Sequence, residues 1–252
     1  MKAIRVHEYG GPEVLQLEEI EDPVITTSDG VLIGMHASGV NPAEVSRRAG
    51  KGMPIQFPAI LGIEGAGEVI EIGSDVHSVS VGDRVVVRQP AYTYAELVVA
   101  PETNVYKFPQ KLSFVEASTI SIIYSTAWAA LCVKGEAKPG DTVLVQAAAS
   151  GVGIAAVQLA KHLGMTVIGT SSSEEKLSWA QSLGLDHGIN YQSTDFVEEV
   201  KQITEGRGVD VIVDGVGGDV LANGVSALAR NGRVCVFGGA GSRESTISVT
   251  SL

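Results

Sequence analysis

The sequence predicts an α/β protein in two parts, a small irregular β barrel followed by a doubly wound parallel sheet. Before about residue 100, short apolar strands are broken by Gly, Pro and Asp. After about residue 138, strands and helices alternate, which implies a parallel sheet covered on both faces. The second half opens with a strand, a corner of small residues, a helix and a strand between Lys138 and Lys176, a βαβ unit.

In chain order, the strands expected in the first half are Lys2 to His7, Val14 to Ile20, Gly30 to Gly34, Gly67 to Ile72, Asp83 to Val87 and Ala95 to Val99. Turn signals separate them at Gly10-Gly11-Pro12, Ser28-Asp29-Gly30, Gly73-Ser74-Asp75 and Val81-Gly82-Asp83. Ser38-Gly39-Val40-Asn41-Pro42 leads into a short polar helix over Ala43 to Ala49, with Asn41 as its cap and proline in its first turn. Leu61-Gly62-Ile63-Glu64-Gly65-Ala66-Gly67 leads into a strand. A helix begins near Ser113 with Glu116 at capping-box spacing, and a second, apolar helix is expected from about Ser125.

The second half begins with a turn at Pro139-Gly140-Asp141 and a strand from Thr142 to Gln146. The corner Ala147 to Gly153 follows. Val152, Ala156, Leu159, Ala160 and Leu163 then form one apolar helical stripe, which Gly164 ends. A strand over Met165 to Gly169 comes next. Further strands are expected at His187 to Asn190, Val209 to Asp214 and Gly232 to Phe237, with helices over Phe196 to Glu205 and about Val220 to Leu228. That makes five strands, one short of a complete six-stranded dinucleotide fold, so this part is expected to be cut short after strand five.

The corner carries a chemical implication. The first turn of a helix leaves N–H groups unpaired at the positive end of the peptide dipoles, and a pyrophosphate satisfies both. Side chains must stay small there, as Ala148, Ser150, Gly151 and Gly153 are, with Val152 in the same first turn. The plain G-x-G-x-x-G pattern is not matched, because Ala148 and Ser150 stand where its first two glycines would be.

At 252 residues and 44% hydrophobic content, the chain can build two cores. Its net charge of −11 argues against nucleic acid or an anionic membrane as the main partner. Cys132 and Cys235 are its only cysteines, far apart and in apolar segments, which fits a reducing compartment and excludes a cysteine-rich zinc site. The N-terminus has no apolar signal core, and no apolar run approaches the roughly 18 residues needed to cross a bilayer; a cytoplasmic location is expected.

The stretches HEYGGPEVL, SGVNP, FPAILGIEGAGEV, VGDRV, YAELVV, KPGDTVLVQAAASGVG, AVQLAKHLG, DHGINY and GRGVDVIVD, in that order over almost the whole chain, resemble the zinc-free quinone oxidoreductases. These zeta-crystallin-like reductases belong to the medium-chain dehydrogenase/reductase superfamily. The resemblance implies a GroES-like catalytic domain over residues 1–122, lacking its C-terminal return segment, and a Rossmann domain over residues 123–252. It further implies NADPH in the cleft between them and a homodimer. Zinc-dependent members carry a histidine before the glutamate of their GHE motif; here the residues are Gly62-Ile63-Glu64, and isoleucine cannot bind zinc.

Cofactor choice follows from chemistry as well as likeness. An NAD enzyme places Asp or Glu at the end of the second strand, about 20 residues past the corner, to hold the ribose 2′-OH. This chain has Thr170-Ser171-Ser172 there, with Lys176 nearby, and hydroxyls with an ammonium suit a 2′-phosphate. By resemblance, Ser172, Lys176 and Tyr191 hold that phosphate. Ser171 and Ser172 equally suit helix capping, since Glu174 and Glu175 follow at capping-box spacing. Lys176 in a helix's first turn is an unfavourable cation unless it has a ligand.

The resemblance also implies direct hydride transfer from NADPH to a quinone or an α,β-unsaturated carbonyl. It places Asn41 by the nicotinamide and acceptor and Thr126 beside the nicotinamide, and it lines the cofactor cleft with Val216, Phe237 and Gly238. Several relatives have a tyrosine five residues past this asparagine, where Ser46 stands before Arg47-Arg48, so a more polar or more open acceptor pocket is expected. Tyr124 either replaces that ring or packs in the core. Two other readings remain at this point, a non-catalytic NADPH-binding or structural protein and a zinc-free enoyl-thioester or alcohol oxidoreductase. Family members continue well beyond Leu252.

Overall fold

A computed structural model describes residues 1–248. The chain forms two compact units, Met1–Ile122 and Ile123–Leu252. In the first, β1 (Lys2–Val6), β2 (Gln16–Glu19), β3 (Gly30–Ser38), α1 (Pro42–Arg48), β4 (Ala59–Ile60), β5 (Glu64–Ile72), β6 (Arg84–Arg88), β7 (Leu97–Pro101) and β8 (Val105–Lys107) are followed by α2 (Phe114–Ala117), and α3 (Ile120–Trp128) begins in this unit and continues into the second. The strands make two antiparallel sheets, ordered β2-β1-β4 and β7-β3-β5-β6-β8. Ala3 bridges to Ala95, and Ile4 N–H donates to Tyr94 O at 2.8 Å, which joins the smaller sheet to the chain leading into β7.

Alternation builds the core of this unit. Val31, Ile33, Val69, Val85 and Val87 face inward from β3, β5 and β6 and are fully or almost fully buried. Each such side chain contributes on the order of 1.5–3 kcal/mol through burial. Arg84, on the opposite face from Val85, is covered by the rings of Phe108 and Phe114, 4.6 and 4.4 Å from the ring centres.

The second unit contains β9 (Thr142–Val145), α4 (Gly151–His162), β10 (Thr166–Ser171), α5 (Glu174–Ser182), β11 (His187–Asn190), α6 (Phe196–Ile203), β12 (Val209–Asp214), α7 (Gly218–Gly224) and β13 (Leu228–Val236). All five strands are parallel, in the order β11-β10-β9-β12-β13. Val143, Leu144 and Val145 are completely buried, because helices cover both faces of the central strand. Ala155, Ala156 and Ala160 of α4 are also completely buried. Their small side chains let the helix lie close on the sheet.

Several expectations are corrected. The second apolar helix starts at Ile120, not Ser125, because Ser118 ends α2 and the next helix begins after a two-residue turn. The strand expected to stop at Gly169 continues as β10 to Ser171, because Thr170 and Ser171 pair in register with Ile189 and Asn190. The short strands β4 and β8 carry too little pattern to be read from sequence. Finally, Phe114–Lys134 is a 21-residue helical run that is, by length and composition only, long and apolar enough to cross a membrane. The two helices expected here from sequence follow one another almost without a break, α3 passing directly into a π-helical stretch at Ala129–Lys134. Ala127, Ala130 and Leu131 of that run are buried in the core of the second unit.

Candidate active site

The small-residue corner is a tight turn from β9 into α4. Its left-handed residue is Ala147, with φ 51°, one position before the first glycine of the ordinary pattern would fall. Ala148 is completely buried, and its N–H donates to Thr170 O at 2.9 Å, so it shapes the corner from below. Ser150 caps α4 by accepting from Gly153 N–H at 3.1 Å. A side chain at Gly153 would meet Ala147 O at 2.3 Å, whereas one at Gly151 would meet only Ile123, at 3.4 Å. Gly153 is therefore the glycine that packs helix on strand, and Gly151 and Val152 present first-turn N–H groups that have no intrahelical partner. This geometry fits a pyrophosphate.

At the end of β10, Thr170 Oγ1 donates to Gln146 Oε1 at 2.5 Å and both residues are buried. The cap of α5 is Ser173, which accepts from Lys176 N–H at 3.4 Å; the expectation that Ser171 or Ser172 caps this helix is corrected. The extra length of β10 moves the capping position one residue along and leaves Ser172 free of that role. Lys176 Nζ lies 3.4 Å from Ser172 Oγ. Tyr191 directly follows β11, and its N–H donates to Ser171 O at 3.2 Å, which brings it alongside Ser172. Asn190 holds the Glu174 carboxylate at 3.0 Å. The strand end thus offers hydroxyls and an exposed ammonium where an NAD enzyme keeps an acid.

Beyond β12 and β13, Val216, Phe237 and Gly238 also come together. Val216 N–H and Gly217 N–H donate to Asp214 Oδ1 at 2.9 and 2.8 Å, and Phe237 N–H donates to Asp214 O at 2.9 Å. A side chain at Gly215 would meet the Phe237 ring at 2.4 Å. Asp214 is completely buried and its Oδ2 has no hydrogen-bond partner among the described residues. Burial raises its pKa against the two backbone donors, which pull the other way.

In the first unit, Asn41 stands at the N-cap of α1 in a capping-box arrangement with Glu44. Its N–H donates to Glu44 Oε2 at 2.6 Å, and Ile63 N–H donates to Glu44 Oε1 at 2.9 Å. Burial raises the Glu44 pKa, and burial together with the charge of Glu44 raises that of Tyr94. The Asn41 carboxamide reaches further: Nδ2 donates to Glu64 Oε1 at 2.8 Å. Glu64, 1% exposed, also accepts on Oε2 from Ser121 Oγ and Ile122 N–H, both at 2.8 Å. A side chain at Gly39 would stand 2.7 Å from Glu64 Oε1, so glycine is required where the SGVNP and LGIEG stretches interlock.

Arg47 and Arg48 donate to the carbonyls of Pro90 and Gly10. A cavity of about 500 Å³ in this unit is lined by Ile63, Arg88, Gln89, Pro90, Asn104, Tyr106 and Ile122, a mixed polar and apolar wall. Thr126 lies half-buried on α3, in the second unit. Tyr124 donates its hydroxyl to Gln158 and packs against the core, so it takes the packing role. Among the described residues no three His, Cys, Asp or Glu side chains come together as a metal site. Sequence reasoning did not single out Glu64, Glu44, Ser121 or Asp214 as site groups. Only the placement of glycines beside Glu64 hinted at one of them.

Residues 27–110 match the alcohol dehydrogenase GroES-like domain family, and residues 151–252 match the zinc-binding dehydrogenase family. A GroES-like unit followed by a dinucleotide-binding sheet defines an oxidoreductase of the medium-chain dehydrogenase/reductase superfamily. The chain is 35% identical to the human quinone oxidoreductase over 247 residues, 97% of this chain and 75% of that one. It is 36% identical to the 2-haloacrylate reductase of Burkholderia sp., again over 97% of this chain and 75% of the relative. The crystal structure of Escherichia coli quinone oxidoreductase complexed with NADPH superimposes with a TM-score of 0.89 at 32% identity, covering 99% of this chain and 77% of the other. The chain belongs to the quinone oxidoreductase family.

Proposed function

We propose that the protein reduces a quinone or an α,β-unsaturated carbonyl with NADPH, by direct hydride transfer and without zinc. NADPH is its cofactor, as in the E. coli relative. The observation that carries the cofactor assignment is the contact between Lys176 Nζ and Ser172 Oγ at 3.4 Å, at a strand end that carries Thr170, Ser171 and Ser172 where an NAD enzyme places its acid. Ser172, Lys176 and Tyr191 hold the 2′-phosphate. The first turn of α4 holds the pyrophosphate through Gly151 and Val152, on a corner shaped by Ala148, Ser150 and Gly153. Val216, Phe237, Gly238 and Thr126 bound the nicotinamide end.

Bound NADPH supplies the hydride, and a proton from solvent completes the two-electron reduction. As the conjugated acceptor takes up the electron pair, negative charge grows on its carbonyl oxygen. Asn41 donates Nδ2–H to that oxygen and stabilises the charge. Ile63 stands where zinc-dependent members place a histidine, and its hydrocarbon side chain supports the zinc-free reading. The 2-haloacrylate reductase among its relatives supports a conjugated acceptor.

Anaerobic oxidation of NADPH and of NADH with 1,4-benzoquinone and with a short enone tests this. Turnover with NADPH in preference to NADH is expected. NADPH binding without reduction of either acceptor would favour a non-catalytic role, and reduction of an enoyl thioester alone would favour the related enoyl reductase activity.

A further inference from the structure

We propose that Glu64 is a positioning residue that sets which end of the Asn41 carboxamide faces the acceptor. The inference rests on the acceptor contact assigned to Asn41 above. An asparagine side chain has two nearly isosteric ends of opposite character, an acceptor oxygen and a donor nitrogen. An asparagine that presented its oxygen to a carbonyl gathering negative charge would repel it. The direction of the amide therefore decides whether the residue helps the reaction or opposes it.

Four features fix that direction. Glu64 Oε1 accepts from Asn41 Nδ2 at 2.8 Å, and a carboxylate oxygen has no proton to offer an amide oxygen in return. Ser121 Oγ and Ile122 N–H, both 2.8 Å from Oε2, hold the carboxylate from the other side. Gly39 leaves the space for it, since a methyl group there would be 2.7 Å from Oε1 and 2.8 Å from Cγ. The capping box at the start of α1 sets the backbone of Asn41.

Nδ2 has a second hydrogen beside the one given to Glu64; in this proposal it leaves its interaction with the Glu44 carboxylate and donates to the acceptor. The Glu64 carboxylate behind the amide polarises it for that contact. Glu64 itself is 1% exposed and touches no acceptor; it acts through Asn41.

The test is a double-mutant cycle with Asn41→Ala, Glu64→Gln and the double variant, read as kcat/KM for a short enone beside the dissociation constant for NADPH. Each single substitution is expected to lower kcat/KM by about tenfold or more, the loss of one oriented hydrogen bond in the transition state. The double variant should be no slower than Asn41→Ala, and NADPH affinity should stay within about twofold, because the two residues act as one unit. Losses that multiply in the double variant, or a Glu64→Gln protein as fast as the parent, overturn the positioning role while leaving NADPH-dependent reduction standing. No turnover by the parent overturns both.

Circular dichroism melting accompanies the cycle. Because Glu64→Gln removes a buried acceptor, the side-chain amide of Asn41 is also followed by ¹⁵N NMR in the unsubstituted protein. On addition of NADP⁺ and the enone, one of its two hydrogens should shift while the one bound to Glu64 stays. Movement of both together, or of neither, contradicts the assignment.

Discussion

Removing the Lys176 ammonium separates the two nicotinamide cofactors. Lys176 is exposed, stands in the first turn of α5, and reaches Ser172 Oγ at 3.4 Å. A 2′-phosphate bound between them places a charge of nearly −2 about 4 Å from Nζ. Opposite unit charges at that distance in water attract by about 1 kcal/mol, and salt and side-chain ordering remove part of the total. Lys176→Ala should therefore weaken NADPH binding by about 5- to 15-fold and leave NADH binding unchanged. The helix should not suffer, because a cation is disfavoured at its N-terminus. Fluorescence titration with both cofactors at two salt concentrations measures this, and the NADPH preference of the parent should shrink as salt rises. Equal weakening of both cofactors, or of neither, would refute the assignment of Lys176 to the 2′-phosphate.

Two further substitutions test the buried parts of the site. Gly39→Ala places a methyl group 2.7 Å from Glu64 Oε1, an overpacking expected to cost about 1–3 kcal/mol and several degrees of melting temperature. It should also depress enone reduction more than NADPH binding, and a variant that melts and turns over like the parent contradicts the interlock. Asp214→Asn concerns stability against pH. The folded carboxyl has a raised pKa, so below about pH 4 both folded and unfolded states are protonated and there is no penalty. As pH rises past that point, the unfolded state loses its proton first and stability falls until the folded carboxyl also ionises. Asparagine still offers an oxygen to Val216 and Gly217 N–H, so its melting temperature should lack that decline and exceed the parent's at pH 7; a lower value at pH 7 would contradict the account.

Local pattern made much of the fold legible. The limits of β11 and β12 follow from short apolar runs bounded by turn residues, and the Ser113 cap of α2 from the glutamate three residues on. The corner before α4 is likewise visible in its small residues. What local pattern misses is set by pairing across the chain. Thr170 and Ser171 fall just beyond the strand expected from sequence, yet β11 draws them into the sheet and the α5 cap falls on Ser173. Ala147 takes the left-handed turn although nothing distinguishes it from Ala148 or Ala149 in sequence. Glu64 reads as one charge in a glycine-rich strand, and its partners come from positions 41, 121 and 122. Asn41 is legible in sequence as a helix cap and, by resemblance, as an acceptor contact, but only the structure shows its amide turned onto a buried carboxylate.

The most direct measurement follows the transferred hydrogen. Reduction of a short enone with NADPH deuterated at both C4 positions, in ordinary water, should give a product with one deuterium on the β-carbon and a solvent hydrogen on the α-carbon. A product whose β-hydrogen comes from solvent would contradict direct hydride transfer to the acceptor.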